Sequence, residues 1–86
     1  MASESRFSPV LVVWEDAYDM DDTVWTDYTD DPVEPCLVYQ VGFLLADTSD
    51  THVVLVSGFA EDKIQRRMAI PVGMVRSITP LQAVKR

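Results

Sequence analysis

Two groups of side chains in this 86-residue chain have the types and spacing to do chemistry. The first is the tract from Glu15 to Glu34, which holds nine of the fourteen carboxylates, two tyrosines and a tryptophan, and no Lys or Arg. Trp14, Tyr18, Trp25 and Tyr28 offer flat surfaces, while Asp19, Asp21, Asp22, Asp27, Asp30 and Asp31 offer charge. Such a face suits a cationic peptide, an arginine-rich protein surface, or a base stacked on an aromatic ring. The same residues also fit a solvated loop whose aromatics fold back to cap one end of a small core. The second group is Lys63-Ile-Gln-Arg-Arg67. Lys63, Arg66 and Arg67 could hold a phosphate through charge-assisted hydrogen bonds. The stretch fits equally well as a solvated connection with Ile64 turned inward. The clamp gains meaning only with an aromatic platform within reach, in the same subunit or across an interface.

Other chemistries find less support. Asp19, Asp21 and Asp30 fall on positions 1, 3 and 12 of a calcium loop. Val24, however, stands where that loop needs glycine, and Asp30 where a glutamate supplies two oxygens. No metal and no cofactor are expected. His52, the one histidine, precedes an apolar run and suits a packed or capping role. Cys36, between Pro35 and Leu37, reads as a small hydrophobe. Ser57-Gly58 lacks the Gly-x-Ser-x-Gly elbow. Carboxylate pairs on a loop, without rigid support around them, predict no acid–base couple. The expectation is a binding protein with no catalytic residues, not an enzyme.

Composition sets the frame for these groups. A chain of this length makes one small domain, here residues 7–86 after a loose tail at 1–6. A single cysteine excludes an intrachain disulfide and fits a reducing cytoplasm. The N-terminus lacks the basic start and apolar stretch of a signal peptide, and no run reaches the length of a membrane span. A cytoplasmic location and no membrane partner are therefore expected. Net charge is −7, with no basic residue between Arg6 and Lys63. An acidic front and a basic back steer partners of either sign. Duplex nucleic acid, which needs a clustered basic face in excess, is not an expected partner.

The elements that must position these groups are strands. Phe7–Trp14 is β-branched and bounded by the acidic tract, and predicts a first strand. Cys36–Ala46 predicts a second, with Leu37, Tyr39, Val41, Phe43 and Leu45 on one face and Gly42 marking a bend. Asp47-Thr-Ser-Asp50 is a turn, and Thr51–Phe59 a third strand. Ala60–Arg67 reads as a loop or one helical turn. Met68–Pro71 is a short strand ended by proline, Val72–Arg76 a helical turn, and Ser77–Leu81 a last strand. Val53, Val54, Leu55 and Val56 make the third strand apolar on both faces, and the second is nearly so. This predicts a covered outer face, either in a homo-oligomer or under the long loop.

This order resembles the Src-homology-3-like small barrel. The motif that carries the resemblance is Ala69-Ile-Pro-Val-Gly-Met-Val-Arg-Ser-Ile78, similar to the Ile-Pro-x-x-x-Val-x-x-Ile ending of those domains. It implies an all-β, five-stranded barrel with a long acidic loop after the first strand and a short helical turn before the last. The Ala-Leu-Tyr-Asp-Tyr and Trp-Trp signatures of proline-rich-peptide binders are missing. Val-Trp-Glu-Asp-Ala17, Trp25, Val-Gly-Phe-Leu-Leu-Ala-Asp47 and Ile70-Pro71 together also resemble small accessory proteins of tailed bacteriophages and prophages. That likeness implies synthesis in an infected bacterial cytoplasm and a role against host defence, by sequestering a nucleotide signal. On that reading Trp14, Trp25 and Tyr28 stack the ligand while Lys63, Arg66 and Arg67 meet its phosphates. The alternative is an inhibitor or adaptor whose Asp19, Asp21, Asp22, Asp27, Asp30 and Asp31 engage a basic protein surface. A third is a structural or scaffolding role.

Overall fold

β-Branched and aromatic residues dominate the chain on both sides of the acidic tract, and there they form a sheet. The computed structural model describes residues 7–21, 23–45 and 49–82. Its strands are β1 (Phe7–Asp16), β2 (Cys36–Leu45), β3 (His52–Val56), β4 (Gly58–Ala60), β5 (Lys63–Gln65), β6 (Met68–Pro71) and β7 (Val75–Pro80). One 3-10 turn, Val72–Met74, precedes β7. The expected tail at 1–6, Asp22, and Ala46, Asp47 and Thr48 lie outside the described residues.

Five strands form an antiparallel sheet in the order β6-β3-β2-β1-β7, and β4 and β5 make a separate hairpin. Among the described residues no ladder joins β6 to β7, so hydrogen bonds do not close the sheet. Of the expected five-stranded barrel, the described residues show a five-stranded antiparallel sheet, with an added hairpin. The source of the extra hairpin is local. The expected strand Thr51–Phe59 breaks at Ser57, whose N–H and hydroxyl both donate to the carbonyl oxygen of Gln65, at 2.9 and 3.2 Å. The polar residues that follow turn back at Glu61-Asp62, with Glu61 at φ 55°. A two-residue hairpin loop favours that left-handed geometry. Polar residues without apolar alternation hide such a hairpin from a periodicity argument.

The core lies on one face of the sheet. Val10 and Val12 of β1 alternate inward and are buried with Leu55 of β3 and Ile70 of β6. Trp14, Leu44, Met74 and Val75 pack against this cluster. Pro71 cannot donate to a further ladder position, and the 3-10 turn that follows brings Met74 and Val75 onto the core. Each buried aliphatic side chain contributes about 1.5–3 kcal/mol.

The opposite face is covered at one end only. Phe7 stacks on Phe59 with ring centroids 4.3 Å apart, and Phe43 meets Phe59 edge-on at 5.1 Å. The β4–β5 hairpin thereby covers the face carrying Phe43, and Val56, opposite Phe43 in the ladder, is buried with it. This accounts for the doubly apolar β3: Val53, Leu55 and Val56 are all buried within the chain. Gly42 permits the close approach of β2 to β3, since a Cβ there would lie 3.2 Å from the carbonyl oxygen of Val56.

Candidate functional site

The acidic tract forms one connection, residues 17–35, between the paired strand ends Asp16 and Cys36. Two interactions hold its neck. Arg76, the residue of β7 that the register shift at Val13/Trp14 leaves without a partner on β1, pairs with Glu15. The Tyr18 hydroxyl donates to the carbonyl oxygen of Glu34 across the base of the loop. Farther out the chain bonds to itself. The Ala17 N–H donates to Asp16 Oδ1 at 2.9 Å, the Thr23 hydroxyl to the Trp25 carbonyl at 2.9 Å, and the Thr29 hydroxyl to Asp31 Oδ2 at 2.6 Å. Short-range turns of this kind are what Thr and Asp form when no sheet partner is present.

The tip carries the chemistry outward. Trp25 and Tyr28 are 89% and 93% exposed, so the aromatics do not fold back over the core. Asp19, Asp21, Asp27, Asp30 and Asp31 are exposed as well, and Asp22 lies outside the described residues. Two shallow hollows separate these groups. One of about 420 Å³ lies among Asp19, Asp21 and Val24. The other, of about 310 Å³, lies among Met20, Asp27, Tyr28 and Asp31. With Trp25 they form an acidic surface with two exposed rings, the composition that attracts guanidinium groups through charge and ring face at once. No three His, Cys, Asp or Glu side chains converge as a metal-holding group among the described residues.

Trp14 belongs to a different environment from Trp25. It is half-buried on the core side of β1, and its indole Nε1 is buried without a hydrogen-bond partner among the described residues. Of the three residues expected to stack a ligand, Trp14 thus sits in the sheet, and Trp25 and Tyr28 in the loop.

The expected phosphate-binding cations also divide. Lys63 lines a hollow of the β4–β5 hairpin with Phe59 and Ile64. Arg66 and Arg67 are exposed and line a pocket of about 370 Å³ with Gln40, Val41, Gly42 and Ser57. Arg66 holds φ at 50°, a conformation uncommon for a residue with a long side chain. That pocket contains neither Trp25 nor Tyr28. Gly42 and Cys36 are six residues apart along β2, roughly 20 Å in a strand. The arginines and the loop aromatics are therefore not assembled into one site within the chain. Gln40 and Ser57 carry no pocket signal in the sequence, where only Gly42, a glycine in mid-strand, marks the gap they line.

No helix among the described residues is long and apolar enough to cross a membrane. In comparisons with known proteins, no family model matches the chain, and no curated protein or solved structure matches it at a significant level.

Proposed function

We propose that the chain is a non-enzymatic binding protein of phage type that engages a basic protein surface through the tip of its acidic loop. The observation that carries this reading is the near-complete exposure of Trp25 and Tyr28 amid exposed carboxylates. Aromatic rings left in water by a folded chain are unfavourable unless a partner covers them, and Trp and Tyr are the residues that most often anchor interfaces. The neck contacts of Tyr18 and Arg76 support the tip in a preferred orientation, which lowers the ordering penalty on binding. The scaffold is an Src-homology-3-like sheet. The strand order β6-β3-β2-β1-β7 and the 3-10 turn between β6 and β7 support that assignment.

The test uses a fluorescent arginine-rich peptide as the probe. Binding is expected at low salt, weakening steeply as salt rises. It should fall roughly tenfold or more in the double variant Trp25→Ala with Tyr28→Ala, the size typical of lost aromatic anchors. Equal affinity for the native protein and that variant would remove the reading.

A second reading has its own observation. Arg66 and Arg67 line a pocket beside a glycine backbone, an arrangement compatible with a phosphate group. Under this reading the protein sequesters a nucleotide signal in the infected cell. Thermal shifts with cyclic or ADP-ribose-like nucleotides, lost in Arg66→Ala with Arg67→Ala, would favour it over the loop.

A further inference from the structure

A sheet edge presents a row of unpaired main-chain amides and carbonyls, and chains that stay monomeric shield such rows with charge, proline or a covering element. β2 has such a row inside its length. All ten of its residues pair with β1, whereas its ladder with β3 holds only Phe43 and Leu44. The stretch from Cys36 to Gly42 thus has no strand on its second side among the described residues. It contains no charged residue and no proline. Leu37, Tyr39 and Val41 on it are 41%, 69% and 68% exposed. They stand opposite Glu15, Val13 and Leu11 of β1, on the face that carries Phe43 but beyond the end that the β4–β5 hairpin covers. The acidic loop, whose own tip is exposed, does not cover them either.

We propose that this edge pairs with the same edge of a second copy, antiparallel about a two-fold axis at Tyr39. In that register Tyr39 meets its own counterpart, Leu37 meets Val41 of the second copy, and Cys36 meets Gly42. The two exposed rows become one apolar strip, and β7-β1-β2 of each copy join in a continuous sheet. A symmetric contact of this kind closes on itself and consumes the free β2 edge of both copies.

Charge selects a second copy over a foreign strand. The residues just before Cys36 include Asp30, Asp31 and Glu34. In the two-fold register this segment leaves the shared edge beside Gly42 of the other copy, where Arg66 and Arg67 line the pocket with Gln40 and Val41. Each copy brings its carboxylates to the other's arginines, so the match occurs twice. A parallel pairing would instead set the two acidic tracts side by side. The pairing also gives the arginine pocket a neighbour it lacks in one chain. It goes beyond the loop-tip reading: Asp30 and Asp31 serve both, but Tyr39 and Val41 belong to the paired edge alone and Trp25 and Tyr28 to the tip alone, so either can fail while the other stands.

Sedimentation equilibrium and cysteine cross-linking test the proposal. The native protein is expected to sediment as a dimer. Val41→Lys, placed at an exposed position, should give a folded monomer by circular dichroism and sedimentation. Tyr39→Cys in a Cys36→Ser background should oxidise to a covalent dimer roughly tenfold or more faster than Tyr28→Cys in the same background, because facing residues in a two-fold pair lie within disulfide reach. Arg66→Glu with Arg67→Glu should weaken the dimer at low salt, with the difference shrinking at about 0.5 M salt. A native monomer at about 100 µM, where a dimer with a micromolar constant would be assembled, would overturn the proposal. So would a dimer that survives Val41→Lys, or a Tyr39→Cys protein that cross-links no faster than the loop control.

Discussion

The two tryptophans stand eleven positions apart in the sequence and in opposite physical states. Trp14 lies on the inward side of β1 against the core cluster, with even its indole nitrogen buried. Trp25 stands almost wholly in solvent at the tip of the acidic loop. The same side chain thus serves stability in the sheet and recognition in the loop. What separates the roles is the backbone around them. β1 is paired on both sides, by β2 and β7. The loop bonds mostly to itself, and beyond its neck it pairs with no strand among the described residues.

Substitutions break this contrast in order of size. Trp14→Ala should lower unfolding free energy by about 3 kcal/mol, and Ile70→Ala by a similar amount, because both leave a cavity beside buried aliphatics. Urea denaturation measures both. Trp25→Ala should stay within about 0.5 kcal/mol of the native protein, as exposed positions do. If the two tryptophan substitutions destabilise equally, the loop is packed and the contrast is lost.

Phe59→Ala should cost about 2–3 kcal/mol, by removing the ring that covers Phe7 and Phe43 on the outer face. A larger share of that loss is expected in the β4–β5 hairpin, whose amides should exchange faster in hydrogen–deuterium exchange. Gly42→Ala should cost about 1 kcal/mol, since its methyl would crowd the Val56 carbonyl where β2 approaches β3. Glu15→Gln is the smallest change. The Arg76 pair is about a third to a half open to solvent and should be worth under about 1 kcal/mol. Its loss should instead loosen the loop neck, seen as a change in amide relaxation from Ala17 to Asp21.

Much of the sheet was legible in the sequence because β-branched alternation is a strong signal. β1 was expected to end at Trp14 but continues through Glu15 and Asp16, because pairing with β2 extends it into the acidic tract. The Ile70-Pro71 ending and the short helical turn fall where the motif indicates, with the turn trimmed to Val72–Met74 and β7 starting earlier at Val75. The β4–β5 hairpin was not legible, since Ala60–Arg67 has no apolar alternation and its turn rests on a glutamate in left-handed geometry. Nor was closure decided by strand count, because closure depends on pairing between β6 and β7 that local patterns do not encode. For the candidate site, composition indicated an aromatic acidic surface, but not that Trp14 would turn inward. That outcome follows from parity along β1: Trp14 shares the side of Val10 and Val12.

The apolar surplus on the second and third strands was resolved unevenly. On β3 the hairpin covers it, and on the first half of β2 none of the described residues does. The contrast between sheet and loop therefore has a third region, an apolar edge that belongs to neither the core nor the acidic tip.

The most direct measurement follows the two indole N–H resonances in a ¹H–¹⁵N spectrum during titration with an arginine-rich peptide. One signal reports the sheet and the other the loop. The Trp25 indole and the amides of its loop should shift together at low salt, return toward their free positions at about 0.5 M salt, and leave the Trp14 indole unmoved. A titration that moves the Trp14 indole while Trp25 stays still, or that moves neither, would contradict the loop tip as the binding surface.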